Sequence, residues 1–290
     1  MTEKIKHEIQ IFDEYLTLKN YSKSTRKAYR SGLKQFLLWR IAGGMTGELT
    51  QQQARQYLLY RYHSGAKWQT VNGDYSALMK YYRNVKKMAW DVAHIPRPRK
   101  ERSLPRIISK AAVEKIINAA PNLKHQTFIC LLYGTGLRLS EALNLKIEHI
   151  DGSRKQLLVV KGKGAKDRYV DIPDCLLDLM RAYYRAYKPN IYLFNGKDRN
   201  YPLAPRSAQH LVKQIAKKVG ITQNVSPHVF RHSYATHHLE SGTNLIYLQQ
   251  QMGHKRLRTT AKYIHLMKTR SWRIYHPIVG IQIKRSTRLT

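Results

Sequence analysis

At 290 residues the chain is long enough for two domains that each bury a core, and no stretch approaches the ~18 apolar residues of a membrane span. Its 52 Lys+Arg against 18 Asp+Glu leave a formal net charge of +34; residues 1–100 hold 19 basic and 7 acidic side chains, net +12, so the excess is not one basic tail. Such a surface calls for a polyanion, most simply nucleic acid, while two cysteines exclude a disulfide framework and the charged, interrupted N-terminus excludes a signal peptide, so a cytoplasmic, reducing home is expected.

The first hundred residues read as helices. In YSKSTRKAYRSGLKQFLLW either Ser22 or Ser24 can cap, and Tyr29, Leu33, Phe36 and Leu37 recur at helical spacing. A second helix runs from Thr50 through Ala54, Leu58 and Leu59, and a third carries Ala77, Leu78, Tyr81 and Tyr82. Their polar faces are rich in Lys and Arg; Lys23, Arg26, Lys27 and Arg30 are the candidate nucleic-acid contacts there. IPRPRKERSLPR, residues 95–106, holds three prolines that forbid a helix and charges that keep it solvated, so it reads as an extended basic linker in which Arg97, Arg99 and Lys100 can follow a phosphate backbone.

The remainder is mixed. SKAAVEKIINAA opens a helix after Ser109, TFICLLYGTG is an apolar helix ended by glycines with Cys130 as a small core residue, and RLSEALNL begins another. The period then changes: Leu157 to Val160 is a β run, GKGAKD is turn chemistry, and Tyr169 to Ile172 returns as its partner strand. Further helices follow to about Tyr263, and HPIVGIQIKRSTRLT ends the chain as an extended arm. The fold class is therefore mainly α with a small antiparallel β-sheet.

Three segments can carry chemistry. GTGLRLSE sets Arg138 just after a glycine turn at a helix start, where free N–H groups favour an anion; a surface arginine beside a capping glycine is the bland alternative. PHVFRHSYATHH puts His228 and Arg231 at i and i+3 on one helix face, able to hold a phosphate and exchange a proton beside it. His228 and His232 also have i, i+4 metal spacing, but no carboxylate follows until Glu240 and Arg231 lies between them, so no metal is expected. The hairpin GKGAKDR carries Lys161, Lys163, Lys166 and Arg168; turn lysines are usually solvated, yet one at the rim of an anionic site can donate a proton. Two Arg, a Lys, two His and a Tyr with few carboxylates argue against a nuclease that clusters Asp or Glu on Mg²⁺. They suit phosphoryl transfer in which fixed guanidinium groups stabilise the charge and a phenol attacks.

These residues resemble the tyrosine recombinases, or phage integrase family, and among them the short Xer-like members. The motif R-[LIV]-S-E appears as Arg138-Leu139-Ser140-Glu141, the hairpin lysine of G-K-G-x-K-[DE]-R falls on Lys163, and H-x-x-R appears as His228 to Arg231. L-G-H becomes Met252-Gly253-His254, and nine residues on stands Tyr263. The N-terminal helices look like that family's core-binding domain.

The resemblance implies a helical, SAM-like core-binding domain over residues 1–94, the linker 95–106, and an α+β catalytic domain with its tail over 107–290, closing as a C-shaped clamp around DNA. No arm-binding domain of the larger integrases is expected before it. Tyr263 would attack the scissile phosphate and leave a 3′-phosphotyrosyl link and a free 5′-hydroxyl. Arg138 and Arg231 would cradle the phosphate, Lys163 would protonate the leaving oxygen, His228 would accept the tyrosine proton, His254 would hydrogen-bond the phosphate, and Glu141 would orient the site. No cofactor, metal or ATP is implied. The partners implied are duplex DNA with inverted-repeat core sites and other recombinase protomers: a dimer on each site and a tetramer in synapse, of this chain alone or with a sister recombinase. The tail, residues 275–290, would dock into a neighbouring protomer as a strand-like arm. Dimer resolution, prophage integration, integron capture and transposon mobility share this machinery. The rival readings are a type IB topoisomerase-like enzyme, an inactive DNA-binding protein of the same fold, and a basic RNA-binding or ribosomal protein.

Overall fold

The computed structural model describes residues 3–45, 47–99, 104–160 and 167–267, and the chain divides into two units, Met1–Ser103 and Leu104–Thr290. Lys100, the hairpin lysines Lys161, Lys163 and Lys166, and the 275–290 arm lie outside the described residues.

The first unit is built from α1 (Glu3–Leu18), α2 (Lys23–Ala42), α3 (Gln51–His63) and α4 (Trp68–Lys80), the last running into a π-helical turn, Tyr81–Val85. Ser22 caps α2 by accepting from the Thr25 N–H, and Thr50 forms a reciprocal capping box with Gln53 on α3. α1, which the sequence reading did not single out, buries Ile5, Phe12 and Leu16 on one stripe against Leu33, Phe36 and Leu37 of α2. Gly32 lets α2 pass close to α4: a Cβ there would stand 2.9 Å from the Asp74 carboxylate. The beginning of the segment read as a solvated linker belongs to this unit. Ile95 is buried in its core, and Arg97 donates to Asn72 Oδ1 (2.9 Å) and Ser76 Oγ (3.1 Å) beneath the Tyr75 ring. Prolines stop a helix, but they do not stop an extended strand of chain from packing.

The second unit holds α5 (Lys110–Asn118), α6 (Leu123–Thr135), α7 (Leu139–Leu143), β1 (Ile150–Asp151), β2 (Gln156–Val159), β3 (Arg168–Asp171), α8 (Asp174–Tyr187), α9 (Pro205–Lys218), α10 (Pro227–Glu240), α11 (Leu245–Met252) and α12 (Leu257–Ala261). Strands β1, β2 and β3 form one antiparallel sheet in that order, with Leu157 opposite Val170 and Val159 opposite Arg168. The strands begin one residue earlier than the β-rich runs suggest, because the ladder pairs Gln156 with Asp171. The core joins α6 and α8 through Phe128, Leu131, Leu132, Leu176, Leu177 and Met180, and Cys130 packs at its edge, where burial pushes the thiol up to about 11. A second cluster, Tyr234, Ala235, Leu239, Leu248, Met252 and Tyr263, joins α10 to α11 and the C-terminal turns. This smaller core positions the candidate site.

Candidate active site

Two left-handed glycines shape the site before any side chain acts. Gly136 ends α6 with φ +60° and Gly253 ends α11 with φ +60°. Both turn a main-chain carbonyl toward a guanidinium group. Arg231, buried on α10, donates from Nη1 to Gly136 O (2.5 Å) and from Nη2 to Met252 O (2.6 Å). Arg138, at the start of α7, donates from Nη2 to Gly253 O (3.2 Å), and Arg168, on β3, donates from Nε to Gln251 O (3.0 Å). Three successive carbonyls at the C-terminus of α11 thus hold three arginines that arrive from α7, β3 and α10. A helix C-terminus carries partial negative charge and unpaired carbonyls, which is why cations collect there.

Glu141 is the anion of this cluster. It accepts from Arg138 Nη1 (2.7 Å) and the Arg138 N–H (2.9 Å), and takes the Arg168 fork on both oxygens (3.0 and 2.7 Å). Burial pushes its carboxyl up, but the hydrogen bonds and charge of Arg168, joined by those of Arg138, outweigh that and hold it at about 2. Arg231 is pulled down to about 10, first by burial and then by Arg138, and it stays charged at neutral pH.

A charged guanidinium only donates, so the 3.0 Å contact between Arg231 Nη2 and His254 Nε2 makes that nitrogen an acceptor. The His254 proton then sits on Nδ1 and donates to Thr260 Oγ1 at 2.8 Å. Burial, followed by the Arg231, Arg138 and Arg168 charges, drives the His254 pKa to about 3, so the ring is neutral.

Tyr263 is buried, with its phenolic oxygen 3.0 Å from His232 Nδ1. Burial raises the phenol pKa, while the Arg231 and Arg138 charges pull it back down. His232 is itself held at about 4 by burial, His228 and Arg231, and is a neutral ring placed to take a proton. The ring touching the tyrosine is His232; His228, expected to take the tyrosine proton, lies one turn earlier with its centroid 6.4 Å from that of His232, its pKa lowered by burial and by the Arg231 and Arg138 charges. A helix of 3.6 residues per turn puts both histidines on neighbouring positions of one face, and the packing of Tyr263 chooses between them.

The structure thus brings Arg138, Glu141, Arg231, His254 and Tyr263 together, and adds His232, Thr260 and the Gly136 and Gly253 carbonyls, which the sequence reading missed. His232 was visible as the residue after the H-x-x-R box; the carbonyls carried no signal beyond the glycines. Arg168, expected to contact DNA, has Nε and both Nη nitrogens bonded inside the site. Among the described residues no group of three His, Cys, Asp or Glu side chains is arranged to hold a metal ion.

In the first unit Lys23, Lys27 and Arg30 are exposed along α2 and share a surface groove with Arg26 and Lys34. Asp13 ties down Arg26 (2.9 and 2.6 Å) and reaches Arg30 at 3.4 Å, so the lysines are the freer cations of that groove. Arg99 is exposed.

Comparison with known proteins gives the family. Residues 106–270 match the Phage integrase family, and residues 9–92 match the family described as Phage integrase, N-terminal SAM-like domain. The chain is 36% identical over 258 residues to the Tyrosine recombinase XerA of Pyrococcus horikoshii, covering 88% of this chain and 87% of that protein. It is 28% identical to the Tyrosine recombinase XerC of Bacillus subtilis over 92% of this chain and 94% of the relative. Among solved structures, that of the XerA recombinase aligns with a TM-score of 0.54 at 25% identity, over 96% of this chain and all of the other. A XerH site-specific recombinase bound to its difH substrate shares the fold, with a TM-score of 0.69 at 21% identity over 85% of this chain and 78% of the other. With the motifs in register and both family matches along its length, the chain belongs to the phage integrase family of tyrosine recombinases.

Proposed function

We propose that the protein is a site-specific recombinase that cuts and rejoins duplex DNA through Tyr263, without ATP or metal. The observation that carries this is a buried phenol at hydrogen-bond distance from a neutral imidazole, within the field of two arginines fixed on main-chain carbonyls. The phenolic oxygen attacks the scissile phosphorus while its proton passes to His232. The bond from phosphorus to the 5′-oxygen breaks as the 3′-phosphotyrosyl link forms. Arg138 and Arg231 bear the charge gathering on the equatorial oxygens, as preorganised donors do in phosphoryl transfer. The hairpin lysine Lys163, by family resemblance, protonates the departing 5′-oxygen. His254, expected from the resemblance to hydrogen-bond the phosphate, has Nε2 on Arg231 and Nδ1 on Thr260, and serves by fixing the Arg231 fork. Because the phosphodiester's energy is kept in the covalent link, the 5′-hydroxyl of a partner strand reverses the step and seals the exchanged strand.

The lysine-rich groove of the first unit, with Lys23, Lys27 and Arg30 exposed, supports backbone contacts to DNA. The reading extends to core sites of inverted-repeat form, a dimer on each site and a tetramer in synapse, acting in the cytoplasm, with residues 275–290 docking between protomers. Deleting that arm should weaken the synapse and spare single-site binding.

The chemistry is tested on a nicked suicide duplex carrying the site recovered by sequencing DNA bound to the protein in cells. In EDTA the wild type should give a covalent adduct on a denaturing gel, and Tyr263→Phe should give none. A wild type that binds the site without an adduct is a binding protein of the same fold. Relaxation of plasmid lacking any such site would make it a topoisomerase.

A further inference from the structure

Arg168 stands at the first position of β3, and its side chain is 12% exposed. Its whole fork is spent on the protein: both Nη nitrogens on the Glu141 carboxylate and Nε on Gln251 O. The stem and guanidinium lie directly under Gly253, where a Cβ would stand 2.9 Å from Cδ, Nε and Cζ. β3 is itself pinned to α11 close by. Gln251 Oε1 accepts from the Asp171 N–H (3.0 Å), Gln251 Nε2 donates to Asp171 Oδ2 (2.9 Å), and Tyr247 OH donates to the same oxygen.

The charges around Glu141 define what this arrangement does. Among the described residues, three guanidinium groups and one carboxylate share the cluster, and His232 and His254 are neutral. Glu141 touches both Arg138 and Arg168. If Arg138 alone faced it, that pair would cancel, and of the two arginines only Arg231 would offer a net charge to a phosphate that becomes more negative as the tyrosine attacks. With Arg168 present, one carboxylate is matched by one fork, and two positive charges remain for the phosphate. Glu141 can then anchor Arg138, through the side chain and the N–H, without quenching it.

We infer that Arg168 is a positioning residue for strand cleavage, fixing and offsetting Glu141 so that Arg138 meets the scissile phosphate with its charge uncompensated. This rests on the recombinase reading above, and it removes Arg168 from the DNA-contacting set.

The test measures single-turnover adduct formation on the suicide duplex, with DNA affinity and thermal midpoint recorded for every variant. The wild type must form adduct; its failure would sink the recombinase reading, and only with it intact does the rest decide this inference. Arg168→Met should slow cleavage on the order of 10²-fold, the scale of a catalytic group misplaced by about an ångström, with DNA affinity within about twofold because one buried side chain carries little of it. Adding Glu141→Gln to Arg168→Met removes the quenching charge and should recover at least about tenfold, the reverse of what further damage to a structural pair would do. Arg168→Lys keeps the charge but loses the fork, and should fall between wild type and Arg168→Met. A double variant no faster than Arg168→Met, or an Arg168→Met as fast as wild type, overturns the inference. Should Arg168→Met fail to fold, Arg168→Lys decides it: cleavage slower than wild type and recovered by adding Glu141→Gln supports the role, and wild-type speed or no recovery refutes it.

Discussion

Mild acid should loosen the catalytic unit before Glu141 is protonated, and its buried histidines are the cause, His232 and His254 most strongly. In the folded chain His232 titrates at about 4 and His254 at about 3, against 6.5 for a free imidazole. Below 6.5 the unfolded chain binds protons that the folded site refuses. The stability linked to these rings is therefore complete above 6.5 and is lost progressively as the pH falls toward 4 for His232 and 3 for His254. From pH 6.5 to 5 the gap is about 1.5 units, or ~2 kcal/mol per ring at about 1.4 kcal/mol per unit. Both rings are partly covered, so water screens a share of this, and ~1–2 kcal/mol each is the expected loss. Glu141 works in a lower window: held at about 2, it contributes stability above 4.5 and loses it only as the pH falls from there toward 2. Ring ¹H–¹⁵N NMR titration of the full chain reads both histidines directly. Urea unfolding followed at α10 amides, at pH 7 and pH 5, reads the energy. His232→Gln should remove a measurable share of the pH 7 to 5 difference, the rest coming from His254 and from His125, His228 and His238, which burial also lowers. Titration of His232 near 6.5 in the folded protein would refute the reasoning, and with it the neutral acceptor beside Tyr263.

Other outcomes are expected from the same geometry. Gly253→Ala should lose ~1–2 kcal/mol by thermal scan, since its φ of +60° is strained for any side chain and its Cβ meets Arg168, and it should slow adduct formation without weakening DNA binding. Arg231→Ala should lower cleavage on the order of 10²–10³-fold, while affinity by gel shift falls far less; a parallel drop in affinity would argue against a catalytic role. His232→Gln should cost adduct formation on the order of 10²-fold or more and exceed His228→Gln; the opposite ranking would return the acceptor role to His228. Replacing both Lys23 and Lys27 by Ala should cut the slope of log affinity against log salt by about 2, and an unchanged slope would take α2 out of the interface.

What the sequence disclosed and what it withheld divide along the range of the interactions. Arg138 after its glycine turn, the H-x-x-R box and the tyrosine nine residues past Met-Gly-His are local patterns, readable because each is fixed by a turn or a helical spacing. The helix caps at Ser22 and Ser109 and the β2–β3 pairing were legible for the same reason. The choice between His228 and His232 was not, because both sit on adjacent turns of one face and only the fold of the last helices brings Tyr263 to one of them. Arg168 looked like one more cation in a basic hairpin; its partner lies 27 residues away and becomes visible only once β3 is docked on α11. Ile95 was hidden by its prolines, which signal a break in helix and say nothing about burial.

The end of α11 also explains which kinds of change this region tolerates. Gln251, Met252 and Gly253 each offer a carbonyl to a different arginine, so the half-turn works as a comb whose tooth spacing is set by the backbone. The Met252 side chain, wholly buried, contributes only volume to the small core beneath. Leucine should therefore replace methionine here at small cost, since an apolar exchange of similar size leaves every tooth in place. Inserting or deleting one residue here would unseat three cations together, and no compensating substitution at a single position could reseat them.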